Sequence, residues 1–368
     1  MTTTSALAEV RRRAWVLMAI GVLACGFGAV QNLTQFFHSY IFAYLLLFGV
    51  TSGALGFTLL YLLVGGAWGR TGRPVLRSAS LLMPWVGLLF IPILLGLGHI
   101  FPWMGEEFWH HGPVLDHKRI YFNVPFFIAR AVFFFAVWSW MAFRAAKITD
   151  EQVQASDPRA QALGSIGLVV YVLTLSVASF DWIISLEPHW ASSIFGALIL
   201  VGHGVGALAF TVFMLTWLSR RYGNTFLPSE NTAHDLGNLM LAFCMLWTYM
   251  TLSQYLIIWS GNLPEEIHWY VIRSKNGWRV LSALLILCQF FIPFGLLLAR
   301  ERKRDLSRLV RVAIFLMAVR VLDLYYLVQP EFSPDRFHIH WLDFALLITI
   351  ASAWFALFTN RLEKEVAA

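Results

Sequence analysis

The residues equipped for chemistry in this sequence are few and unusually placed. Arg130, Asp181, His203, Arg320 and Asp323 each fall inside a long apolar run. An ionisable group at the centre of a membrane helix costs about 2.5–3.5 kcal/mol, so each needs either a counter-charge or a task. The task open to Asp181, His203 and Asp323 is proton transfer, since a carboxylate or imidazole can take up and release protons. Arg130 and Arg320 can serve as their charge partners or polarise a carbonyl oxygen. His99, Gln254, Tyr255 and Trp182 complete a candidate pocket for a flat polar headgroup, with Trp247 and Trp259 as further aromatic walls.

Structural roles compete at each position. Arg320 and Asp323 lie three residues apart on one helical face and could neutralise each other. Arg130 has two candidate partners, Asp181 and Asp323. His203 stands in Val201-Gly-His-Gly-Val-Gly206, where small residues let helices approach closely and a neutral histidine can pack. Thr174, Ala178, Asp181 and Ser185 share one helical stripe.

These residues require a membrane scaffold to position them. The 368 residues are 58% hydrophobic and 13% charged, against about a quarter charged in soluble proteins. A bilayer core needs roughly 20 apolar residues per helix. Ten such runs are present, near 14–34, 40–64, 81–101, 125–146, 163–185, 193–218, 236–260, 277–299, 309–328 and 341–359. They are continuous and lack the alternation of barrel strands. The expected fold is an all-α integral membrane protein with ten transmembrane helices, forming a single polytopic domain over 1–368. Pro84, Pro92 and Pro293 are expected to kink their helices. The loops 102–124 and 261–276 are too short for a soluble core.

Basic residues set the expected orientation. Of the 27 Lys and Arg, 19 fall in the termini and the loops on their side, six in the opposite loops, and Arg130 and Arg320 inside spans. This bias places both termini in the cytoplasm. It also explains the net charge of +6 without nucleic acid. Val22-Leu23-Ala24-Cys25 imitates a lipoprotein signal, but Leu23 fits poorly and the apolar run continues, so no cleavage is expected. With this topology the ionisable residues gather in the outer half of the membrane.

No intrinsic cofactor is expected. The three cysteines lie on separate helices, and His203 has no histidine at its own depth for bis-histidine haem. His338 and His340 beside Asp335 and Asp343 read as a hydrated loop rather than a metal site.

Four stretches together resemble one membrane subunit. They are His117-Lys-Arg-Ile-Tyr-Phe-Asn-Val-Pro-Phe-Phe-Ile-Ala-Arg130, Ser179-Phe-Asp-Trp-Ile-Ile-Ser-Leu-Glu-Pro-His-Trp190, Ser253-Gln-Tyr-Leu-Ile-Ile-Trp-Ser-Gly-Asn-Leu-Pro-Glu-Glu266, and Arg320-Val-Leu-Asp323 followed by His340-Trp-Leu-Asp343. The sequence resembles the ActF-type subunit of alternative complex III, a quinol:cytochrome c (or other acceptor) oxidoreductase, with a distant likeness to NrfD/polysulfide-reductase membrane subunits. The resemblance runs over about 14–359.

It implies two four-helix bundles, helices 2–5 and 6–9, flanked by helices 1 and 10. It also implies an NrfD-like sister subunit, a periplasmic iron-sulfur protein and a multihaem cytochrome c as partners within the membrane lipid. The expected role is a proton-transferring, quinone-handling or non-catalytic subunit of an oxidoreductase complex. The alternatives are a scaffold that docks periplasmic redox partners through 102–124 and 261–276, or a secondary transporter, which the lack of broken-helix signals at the midplane disfavours.

Overall fold

A computed structural model describes residues 3–109 and 118–367; residues 110–117, with His117 and the middle of the 102–124 loop, lie outside the described residues. The described chain is 87% helix with no strands. Ten helices are long and apolar enough to cross a membrane, which makes this a multi-pass membrane protein. They are α1 Ala6–Gln31, α2 Leu33–Val64, α3 Ala67–Leu95, α4 Val124–Ala145, α5 Pro158–Leu186, α6 Phe195–Tyr222, α7 Glu230–Gly261, α8 Asn276–Leu298, α9 Leu306–Phe332 and α10 Trp341–Val366.

Polar side chains start several of these helices where the sequence supplies a cap. Asn32, Asn123, Asp157, Ser229 and Asp305 each accept a hydrogen bond from a first-turn backbone N–H. Gly65 and Gly223, at φ 65° and 80°, end α2 and α6 in backbone conformations that favour glycine.

Burial sorts the helices. α6 and α2 form the interior, with 89% and 67% of their apolar windows buried, whereas α1, α7 and α8 bury 17%, 22% and 28%. α6 packs on α2, α5, α7 and α9, and α1 runs along α10, which leans on α2 and α3. Both termini lie on one face, where Arg11 meets Glu363 at 2.5 Å and Arg77 meets Glu365 at 2.9 Å. The opposite end is called the far face below.

Helices extend beyond the apolar runs on the terminal face. α3 begins at Ala67, well before the expected 81, because 67–80 is amphipathic and Arg-rich rather than continuously apolar.

Further along, α3 is interrupted where kinks were expected, at Pro84 and Pro92. Pro84 and Pro92 each start a short segment, Met83–Leu88 and Ile91–Leu95. The Phe90 and Ile93 N–H groups turn back to Gly87 and Phe90, freeing the Val86 and Leu89 carbonyls. Two hydroxyls of α2 satisfy them: Tyr44 donates to Val86 at 3.2 Å and Tyr40 to Leu89 at 2.7 Å. α8 contains a π-helical turn, Ile286–Phe291, just ahead of Pro293. That turn carries the fully buried Gln289, whose amide has no partner among the described residues.

Candidate functional site

The far face holds the first charge centre. The Asn123 cap starts α4 so that Arg130 lies two turns in, and α5 gives way to a tight turn, Ile184–Leu186, just after Asp181. Arg130 grips the carboxylate with both arms of its fork, Nε to Oδ2 at 2.7 Å and Nη2 to Oδ1 at 2.9 Å. This settles its partner as Asp181. Asp181 is 1% exposed and Arg130 8%. The remaining arm donates to the Tyr121 carbonyl at 3.2 Å, and the guanidinium lies 3.9 Å from the Tyr121 ring centre and 4.2 Å from that of Phe126. Ser185 donates to the Asp181 backbone carbonyl. Farther along the stripe, Thr174 accepts from the Trp138 indole at 2.8 Å.

Tyr121 also walls a pocket of about 330 Å³, with Lys118, Phe122, Phe180 and Trp190 among its other walls. Lys118 donates to the Pro188 carbonyl at 2.6 Å. Burial pushes its pKa below the ordinary lysine value, and nearby Glu187 opposes part of that shift. Burial, then the charge of Asp181, pushes the Tyr121 phenol above its usual value.

The second centre joins α6 and α9. Arg320 donates to Asp323, one turn along its own helix, and both are buried. His203 is 5% exposed, and its Nδ1 has no hydrogen-bond partner among the described residues. Glycine makes room for both. A Cβ on Gly202 would sit 2.7 Å from the Arg320 guanidinium, and one on Gly49 would sit 2.8 Å from the His203 ring.

An aromatic layer separates the two centres. The Phe48 ring lies 5.4 Å from His203 and 5.0 Å from Trp182, which follows Asp181 directly. Trp182 also packs on Phe90 at 4.9 Å and Phe135 at 5.5 Å, so it belongs to the core of the far-face half.

The other expected pocket residues do not join these centres. His99 bonds Thr34 at 3.0 Å and stacks on Phe37. Gln254 accepts from Ser192 at 3.3 Å. Tyr255 and Trp259 are 38% and 63% exposed on the outer surface of α7, and Trp247 is buried. These aromatics therefore do not form one wall.

The contacts of two buried polar groups, Arg273 and Asp343, escaped the sequence reading. Arg273, expected in a hydrated loop, is 1% exposed. It ends the loop helix Pro264–Arg273, donates to the carbonyls of Trp269, Tyr326 and Leu327, and pairs with Glu331 at 2.9 Å. Burial lowers its pKa, with Glu331 acting against that. Trp269 stacks on Trp190 at 4.2 Å, which ties this anchor to the far-face pocket. Asp343 is the second, placed near the boundary by sequence but not assigned contacts. It accepts from Ser39 at 2.5 Å and from the His340 N–H at 2.9 Å. Both groups depend on contacts between distant segments, which residue spacing does not encode.

The cysteines are unpaired, and among the described residues no group of three or more His, Cys, Asp or Glu converges on a point. His338 and His340 stack at 6.0 Å. No protein-family model matches this chain, and no curated protein matches it.

Proposed function

We propose that the chain is the membrane subunit of a periplasm-facing quinol:acceptor oxidoreductase, and that its Arg130–Asp181 centre takes up protons released at the far-face pocket. The observation that carries this reading is the position of Asp181: fully sequestered, held by Arg130, and one side chain, Tyr121, behind a pocket with aromatic walls. Quinol oxidation releases two protons with two electrons, so a proton-accepting group beside the ring is required. The aromatic walls of the far-face pocket suit a flat headgroup, and Lys118 offers a donor at its edge.

The excess of basic residues on the terminal side supports a cytoplasmic location for both termini, making the far face periplasmic in a bacterial inner membrane. Electrons would pass to partners of the kind the resemblance implies: an iron-sulfur protein, a multihaem cytochrome c and an NrfD-like sister subunit. A division into bundles α2–α5 and α6–α9 with α1 and α10 outside fits the contact of α2 with α6 and the pairing of α1 with α10.

One observation favours a scaffold instead. Asp181 and Asp323 each already have an arginine of their own, so each pair is neutral as a unit and could serve only to hold helices. The paired substitutions Arg130→Gln with Asp181→Asn and Arg320→Gln with Asp323→Asn, which leave no lone buried charge, separate the readings in the assembled complex. The proton role predicts lower quinol-dependent turnover with assembly intact. Unchanged turnover and proton release in both variants would remove it, and loss of the complex from the membrane would favour the scaffold.

A further inference from the structure

A second cavity is remote from the far-face pocket and has no part in the reading above. It measures about 800 Å³ and lies between the α1–α10 pair and α9, with α2 and α6 as its floor. α9 and α10 follow each other in sequence yet make no extended packing, and α9 makes none with α1. The seam left between them is this cavity. Leu17 of α1 and Ile348 of α10 line it and are 50% and 51% exposed, so it opens onto the surface that these helices turn to lipid.

Its walls specify an occupant. They are apolar, among them Leu46, Val50, Phe213, Met317, Val321 and Phe355, apart from His203 and Arg320 at mid-depth, Ser352 on α10, and Arg13 at the terminal end. A cavity with such walls does not hold ordered water, which needs two to four polar partners. An apolar chain fits it.

At the deep end the protein offers hydrogen-bond capacity without net charge. Arg320 has five N–H donors and gives one hydrogen bond, to Asp323, among the described residues. The charges of Arg320 and Asp323 cancel, so a carboxylate or phosphate would find no unmatched cation there. A carbonyl oxygen can accept from Arg320 without bringing a charge into the membrane interior.

We infer that this cavity binds an uncharged lipid with a carbonyl end, which is held at Arg320 beside His203 while its chain leaves between α1, α9 and α10. The site is separate from the Arg130–Asp181 pocket, so it stands or falls without the redox reading.

The test is photo-crosslinking of the full chain in nanodiscs with a diazirine-bearing 2-decyl-1,4-benzoquinone, used as the carbonyl-ended probe, followed by peptide mapping. Labels are expected on α1, α9 and α10 at the cavity, displaced by unlabelled decylbenzoquinone and not by oleate. Gly206 lines the cavity and a Cβ there meets no atom within 4 Å, so Gly206→Leu is expected to project its side chain into the cavity. That variant should unfold at the wild-type temperature and lose label about tenfold. Label spread evenly over all lipid-facing helices, equal competition by oleate, or full labelling of Gly206→Leu would overturn the inference.

Discussion

Arg130 and Asp181 meet through two hydrogen bonds of 2.7 and 2.9 Å, joining the far ends of α4 and α5 while almost wholly removed from solvent. Removing either partner leaves the other charge buried and alone, which costs about 3–5 kcal/mol. Arg130→Gln and Asp181→Asn are therefore each expected to lower the unfolding midpoint in detergent. The double variant, with no charge to bury, should recover most of that loss. A double-mutant cycle measures the coupling, and additive losses would show that the pair does not act as a unit.

Contact between α2 and α6 rests on glycine. A Cβ on Gly53 would run into the backbone carbonyl of His203, which cannot move without its helix. Gly53→Ala should cost about 1–3 kcal/mol by forcing the two inner helices apart. Gly206→Ala, whose added methyl faces open space, is the control and should leave thermal unfolding near wild type.

Arg273 anchors the loop helix Pro264–Arg273 to the end of α9 through the backbone carbonyls of Tyr326 and Leu327 and the Glu331 carboxylate. Arg273→Met should release that helix, read as new protease cleavage within 261–276 and a lower unfolding midpoint. Arg273→Lys should fail to rescue it, because a single ammonium cannot span the positions that the guanidinium fork reaches.

Lys118 links pH to orientation. Burial disfavours its ammonium, so it should lose its proton and react with an amine-directed reagent at lower pH than an exposed lysine. The sign for stability follows: between the lowered folded pKa and the unfolded value the unfolded chain binds more protons, so the contribution of Lys118 rises with pH across that window. A membrane-impermeant reagent applied from the periplasmic side should modify Lys118. Modification only from the cytoplasmic side would reverse the proposed orientation.

Much of the scaffold was legible because a membrane helix needs only a long apolar run, and ten such runs correspond to ten helices. The Arg320–Asp323 pair was legible for the same kind of reason, since a spacing of three fixes a shared face. Arg130 was different. Its choice between Asp181 and Asp323 depends on which helices are neighbours, and depth along a span does not encode that. Tyr255 and Trp259 had suitable types and depth but point outward, because period alone does not say which face of a moderately apolar helix is buried. The break in α3 was signalled by Pro84 and Pro92, but the hydroxyls that make it tolerable, Tyr40 and Tyr44, lie on another helix.

The most direct test of the proton role is quinol-dependent turnover of the assembled complex carrying Arg130→Gln together with Asp181→Asn. This variant removes the proton-accepting group without leaving a lone buried charge, so assembly is preserved. The account predicts that turnover and proton release fall about 100-fold or more, the contribution of one general acid–base group. An assembled double variant that turns over quinol at the wild-type rate would contradict it.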